Sequence, residues 1–348
     1  MSKCDYVQQV LERRIRHGDY LIHDLPGERE LARDMGVSRM TARKAVLRLV
    51  QDGMLQRLHT GRLRVRAGAA AAPTRIAFLV PTVLSADVER WRLALHALAG
   101  EFHAVIRTVL FLHWDDPLVS EALNTFDAVV LYPSCEAIPP HAAARLQSSA
   151  SRILVLDQDL TDLGLPSICP FPPAFIARLL DQLLPWSDRG VDCFNIQTID
   201  PVIEVRIRQW NLWRAAHRLP GQLLGQPIRA YGVPLEQAYA EMLRAIDDGQ
   251  LSARALLCTT APAALAGVRA LHDRGRRVGR DIGVCVINDE GFSRYLTPSL
   301  TSLRMPDPAP YLRLCLEWLT DPKRPWTGSL LVQPLEPTIF AGESTGRA

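Results

Sequence analysis

The segment from Pro26 to Gln51 limits this chain's possible folds more than any other. Pro26-Gly27 opens a short helical stretch, about 28–35, and Gly36 closes it. Ser38 then stands as an N-cap for a second helix, about 39–51, which Asp52-Gly53 ends. Ala42, Ala45, Val46 and Leu49 recur at helical spacing in that second helix and mark the face to be buried. Arg39 and Arg43, one turn apart, flank the stripe, while Met40 and Leu47 fall outside it. Two short helices joined by a tight turn, the second with cations along its first turns, fit the major groove of DNA.

Flanking text completes a small unit. Upstream, Val7, Val10, Leu11 and Ile15 give an amphipathic helix over about 6–17, ended by Gly18. Downstream, 54–58 and 62–66 read as two strands around Gly61, with arginines alternating with apolar residues on the second. A hairpin after such a helix pair is a wing whose tip lies along the DNA backbone or minor groove. Residues 1–66 carry 14 Lys/Arg against 8 Asp/Glu, a net of +6, whereas the rest carries 26 against 29. The basic excess is confined to the part that would face a polyanion.

Residues 67–73 are small and low in complexity and read as a linker. Beyond them the pattern changes. Short apolar runs at 76–80, 128–132, 153–156, 255–258 and 282–287 alternate with helical stretches such as 87–100, 174–184 and 235–247. Such alternation predicts parallel sheets covered by helices, with ligands sought in the loops after the strands. The expected fold class is therefore α/β. A winged helix-turn-helix domain (1–66) and linker (67–73) precede a domain large enough for two lobes with parallel sheets (74–348). A chain 48% hydrophobic and 22% charged can bury such cores.

Several classes are disfavoured. No run of about 18 apolar residues is present to span a membrane, and the N-terminus lacks the apolar centre of a signal peptide, so a cytoplasmic address is expected. Seven cysteines are scattered without CxxC spacing, which predicts buried thiols rather than disulfides or zinc. No HExxH, GxSxG, P-loop or GxGxxG pattern occurs, and the nine histidines lack metal spacing. Neither an enzymatic role nor a cofactor is expected.

Residues 6–66 resemble the winged head of the GntR family of bacterial transcription regulators. The matching text is Leu25-Pro26-Gly27-Glu28-Arg29-Glu30-Leu31-Ala32, Val37-Ser38-Arg39-Met40-Thr41-Ala42-Arg43 and Leu49-x-x-Asp52-Gly53-x-Leu55. The resemblance implies DNA contacts from Arg29, Arg39 and Arg43, with a glycine at the wing tip, Gly61, that lets the hairpin approach the duplex. Ser38, Thr41 and Lys44 complete the candidate set. Arginine forks suit guanine edges and phosphates.

The remainder, about 74–346, is similar to the effector-binding domain of the LacI/GalR family and to periplasmic sugar-binding proteins. The clearest text is Asp281-Ile282-Gly283-Val284-Cys285-Val286-Ile287-Asn288-Asp289, then Ser293–Leu303, with Glu343-Ser344-Thr345-Gly346 near the end. The resemblance implies a homodimer that binds an operator in double-stranded DNA and senses a small-molecule effector, most plausibly a sugar, between its lobes. Two departures stand out. Asn288 occupies the place of the family's first aspartate, and the family's arginine motif appears as Arg206-Ile207-Arg208-Gln209-Trp210 without its glycine. Arg208 is assigned the ligand-clamping place, a one-residue shift giving it to Gln209. Trp210 and Trp213 offer an aromatic wall, or plain core. Asp157 and Ser134 follow apolar runs and join Arg208, Asn288 and Trp210 as ligand candidates. Two other readings stay open at this level: a solute-binding module without specific DNA recognition, and a DNA-binding regulator whose pocket is degenerate.

Overall fold

The computed structural model describes residues 2–16, 19–20, 25–59, 61–65, 73–82, 85–228 and 233–346. Apart from Pro73, the linker expected over 67–73 lies outside these residues, as do Gly18 and Arg66.

The N-terminal unit contains helices α1 (Lys3–Arg16), α2 (Glu28–Asp34) and α3 (Arg39–Gln51), then strands β1 (Leu55–Arg57) and β2 (Leu63–Val65). The strands pair antiparallel, Leu55 opposite Val65 and Arg57 opposite Leu63. Gly36 turns the chain between α2 and α3 at φ +61, where a side chain is strained. The Ser38 Oγ accepts the Thr41 N–H at 3.1 Å, closing the first turn of α3. Val7 and Leu11 of α1, Leu31 of α2, the four apolar residues of the α3 stripe, and Leu55 and Leu63 share one buried core. Met40 and Leu47 are exposed, as their positions off the stripe require.

From Pro73 onward the chain builds two α/β lobes. The first begins with β3 (Thr74–Pro81), α4 (Ala86–Ala99), β4 (Ala104–Phe111), α5 (Pro117–Thr125), β5 (Ala128–Leu131), α6 (Pro140–Ser148), β6 (Arg152–Leu156) and β7 (Ser167–Ile168). The chain then enters the second lobe with α7 (Pro173–Leu180), β8 (Asp192–Phe194), α8 (Pro201–Ala216), β9 (Leu223–Leu224), α9 (Pro234–Asp247), β10 (Ala255–Cys258), α10 (Ala261–Asp273), β11 (Gly283–Ile287) and β12 (Thr301–Arg304). It returns to the first lobe for α11 (Ala309–Thr320) and β13 (Leu331–Val332), and closes the second with β14 (Thr338–Phe340).

Strand order is β13-β7-β6-β5-β3-β4 in lobe 1 and β14-β12-β11-β10-β8-β9 in lobe 2. Every ladder in the two lobes is parallel except β12 with β14. Each sheet is buried on both faces, which is why its strands read as unbroken apolar runs rather than alternating ones. The helical stretch expected over 174–184 is α-helical only to Leu180 and tightens into a 3-10 helix through Arg189. Pro185, which has no N–H to continue the α-helical ladder, lies inside it. Three segments, 169–172, 305–308 and 333–337, carry the chain between the lobes. All seven cysteines are free thiols. Among the described residues no helix is long and apolar enough to cross a membrane.

Candidate functional site

Two surfaces carry the candidate residues. The first is on the N-terminal unit, where a groove runs between the start of α2, the start of α3 and the hairpin. Arg29, Arg39, Arg57, Gly61 and Arg62 line it. Gly61 turns the hairpin at φ +79, with open space around the position a Cβ would take, so backbone conformation alone asks for glycine there. Thr41 is tied to the capping serine, its Oγ1 lying 2.8 Å from the Ser38 Oγ. These two side chains shape the helix start, whose positive dipole end suits a phosphate.

Ion pairing separates the cations of this unit into two sets. Arg48 pairs with Asp5 at 2.9 Å, Arg57 with Glu28 at 2.6 Å, and Arg33 lies near Glu30 and Asp34. Arg29, Arg39, Arg43 and Lys44 are exposed and have no ion-pair partner among the described residues. Glu30, next to Arg29 in sequence, and Asp34 both lie against Arg33.

The second surface is a cleft of about 520 Å3 between the lobes. Its walls are loops at the carboxyl ends of strands: Thr82 after β3, Tyr132 after β5, Asp157 and Gln158 after β6, Gln197 and Asp200 after β8, Thr260 after β10, and Asn288 and Glu290 after β11. Asp157, Asn288 and Glu290 hold φ values of +70, +60 and +47, so three of the five non-glycine residues with positive φ among the described residues line this cleft. Backbone strain of that kind concentrates where side chains are aimed at a ligand.

Arg206 dominates the lobe 2 wall. It is only 5% exposed, its Nη1 donates to the Thr259 carbonyl at 2.7 Å, and its guanidinium lies 5.8 Å from the Phe171 ring. Its Nε is buried without a partner, as is the Thr260 Oγ1. A ligand oxygen would satisfy both. Facing Arg206 are carboxyl groups from both lobes. Burial pushes the Asp157 carboxyl upward against the pull of Arg206, and its Oδ2 accepts the Tyr132 hydroxyl at 3.1 Å. Burial likewise raises Glu290, which the Ala86 N–H, Arg206 and Arg90 pull back down.

Asp87, 3% exposed at the start of α4, goes furthest, from an ordinary 3.8 to about 6. Burial is the largest cause, opposed by Arg90 and reinforced by Asp157 and Glu290. The folded chain thus holds a proton at Asp87 that the unfolded chain has released. Stability falls as pH rises from about 4 through about 6, by about 3 kcal/mol for a shift of roughly two units. Asp87→Asn is expected to flatten that part of the profile and to melt higher than the native chain at pH 7.5. Thermal melts across pH 4–8 check this, and an unchanged profile places the proton elsewhere.

The cleft gathers only part of the ligand set read from the sequence. Asp157 and Asn288 line it. Arg208 does not: it is exposed and lines another cavity, while Arg206 lines the cleft. Gln209 lies outside the cleft lining too. Trp210 is 2% exposed in the lobe 2 core with Trp213, its Nε1 donating to the Val191 carbonyl, so neither forms an aromatic wall. Ser134 is buried in a turn, where its Oγ accepts the Glu136 N–H and its carbonyl accepts the Gln158 amide; the adjacent Cys135 reaches the cleft. Asp289, beside Asn288, is buried and holds the Ser302 hydroxyl at 2.8 Å.

Residues 4–65 match the family model for bacterial regulatory proteins of the gntR family, and residues 195–325 match the periplasmic binding protein-like domain. The chain joins a gntR-type helix-turn-helix to a periplasmic-binding-protein-like domain. No curated protein matches it. Among solved structures, it is similar to a LacI family regulator, CCPA, of Weissella paramesenteroides, with bound glucose. That match has 15% identity and a TM-score of 0.64, covering 78% of this chain and 97% of the other. A LacI family regulator of an Arthrobacter species in complex with lactose gives 17% identity, TM-score 0.63, and coverage of 79% and 100%. The lac repressor dimer bound to operator and an anti-inducer gives 14%, 0.62, and coverage of 79% and 95%. At these identities the likeness is one of fold. All seven candidates for DNA contact lie within the gntR-type match; Arg206 and Asn288 lie within the periplasmic-binding-protein-like match, and Asp157 lies before it.

Proposed function

We propose that this chain is a ligand-responsive transcription regulator. Its gntR-type head, 1–66, reads duplex DNA; a linker at 67–73 joins it to the sensing and dimerising part, 74–348, which closes on a small polyhydroxylated molecule, a sugar. The observation that carries the reading is the unpaired set Arg29, Arg39, Arg43 and Lys44, of which Arg29 and Arg39 line the groove that α2, α3 and the hairpin share. Arg48 and Arg57 on the same unit are held by acidic partners, whereas this set is free to meet phosphates and base edges. The cleft adds a buried guanidinium whose Nε has no partner and a Thr260 hydroxyl without one, beside several carboxyl groups, a donor and acceptor array that suits a polyol.

The chain acts as a homodimer, each head on one half of a roughly palindromic operator, as expected for paired helix-turn-helix units. Ligand binding favours one lobe angle over another and so changes head spacing and DNA affinity. Repression relieved by the ligand is the direction proposed. Gel-shift titration of promoter fragments against random competitor, with and without mono- and disaccharides, tests this. A preferred fragment is expected, with affinity falling steeply with salt, by a slope of about −0.9 per phosphate contacted. No preference for any fragment under any sugar sinks the reading.

A further inference from the structure

Arg208, displaced from the cleft, lines a second cavity of about 430 Å3 on the other side of α8. Two of the three segments that link the lobes contribute to its wall. Phe171 comes from the first crossing, and Leu331 and Gln333 from where the third begins. Val202 and Val205 of α8 complete an apolar surface. The cavity therefore sits at the hinge, behind the cleft, where a bound molecule would bear on the lobe angle. Asp157, Gln158, Val202 and Arg206 line both spaces and form the boundary between them.

The charges around the cavity are unequally committed. Asp157 accepts the Tyr132 hydroxyl and faces Arg206, and Asp159 accepts both the N–H and the hydroxyl of Thr161. Arg208, by contrast, is exposed and has no hydrogen-bond or ion-pair partner among the described residues, and the Gln333 side-chain amide has none either. Burial pushes the Cys169 thiol upward, keeping it neutral and consistent with an apolar floor. A cavity with apolar walls and one uncommitted guanidinium has the makeup of a site for an amphipathic acid.

We propose that this hinge cavity is a second ligand site, separate from the cleft, which takes a small apolar carboxylate with its hydrocarbon between Phe171 and Val205 and its charge on Arg208. It holds whatever the cleft binds and whether or not the head reads DNA. The test uses the full chain and 2-naphthoate, with 2-naphthalenemethanol as the neutral isostere, read by thermal melt and calorimetry. Naphthoate is expected to raise the melting temperature and the alcohol to do so far less. Arg208→Gln, a change at an exposed side chain, should weaken naphthoate binding about tenfold or more. Val205→Trp should fill the cavity and abolish binding. Gln197→Ala, which alters only the cleft, should leave it intact. Absence of naphthoate binding, equal protection by the alcohol, or full affinity in Arg208→Gln overturns the proposal. So does a loss in Gln197→Ala that Val205→Trp does not share.

Discussion

Arg206→Met is expected to leave the head able to bind DNA and to abolish the response to any cleft ligand. The guanidinium attracts both Asp157 and Glu290, and its removal leaves Asp157 with the Tyr132 hydroxyl and Glu290 with Arg90 and the Ala86 N–H. Losing the guanidinium takes away attraction that offsets the burial of those carboxyls, so stability should fall at neutral pH. The loss has a sign that can be checked. Those carboxyls are already raised by burial, so they take up protons readily once Arg206 is gone, and the variant should recover stability relative to the native chain as pH is lowered. Arg206→Lys should restore part of the stability but less of the ligand response, because an ammonium lacks the planar fork that spans Thr259 and the cleft. Melts at pH 5 and 7.5, with ligand titrations followed by gel shift, separate these outcomes. A Met variant that still releases DNA on ligand addition removes Arg206 from the sensing site.

Replacing Arg39 and Arg43 together should produce the other large effect. Each is exposed near the start of α3 without an acidic partner, so folding stability should change little, within about 0.5 kcal/mol. Operator affinity should fall by about 1–3 kcal/mol for each residue that meets a base edge. The single variants tell base reading from phosphate contact: the first relaxes sequence preference at one position, the second weakens all sequences alike and lowers the salt slope by about one. Arg48→Ala serves as the control, because its guanidinium is spent on Asp5. Equal losses from Arg48→Ala and from the double variant would show that net charge, not this face, governs binding.

The head was legible because its signals are local. Ser38 caps, Gly36 turns, and the α3 stripe matches the buried set residue for residue. The lobes were legible as a class, since sheets covered on both faces produce continuous apolar runs. Strands of two residues, such as β7, β9 and β13, leave no such trace. Asp157, which follows a strong strand run, and Asn288, which stands where the LacI-like text has an aspartate, both line the cleft. Arg206 was passed over because the arginine motif, lacking its glycine, was aligned on Arg208. On a helix, Ile203, Arg206, Trp210 and Trp213 share one face, and all four are buried. Placing the two tryptophans in the core fixes the helix phase, puts Arg206 on the inner side and turns Arg208 outward. Asp87 and Glu290 gave no sign of their role, because their importance comes from the approach of two lobes far apart in sequence.

The three crossings between the lobes have a consequence for how the protein is made. All elements of the head lie in one unbroken stretch, whereas lobe 1 needs α11 and β13, which leave the ribosome after every parallel strand of lobe 2. A nascent chain therefore carries a finished DNA-binding unit well before its sensor is assembled. During that interval half-built sheet edges are open to mispairing, and a premature stop before Val332 would leave both lobes incomplete rather than one.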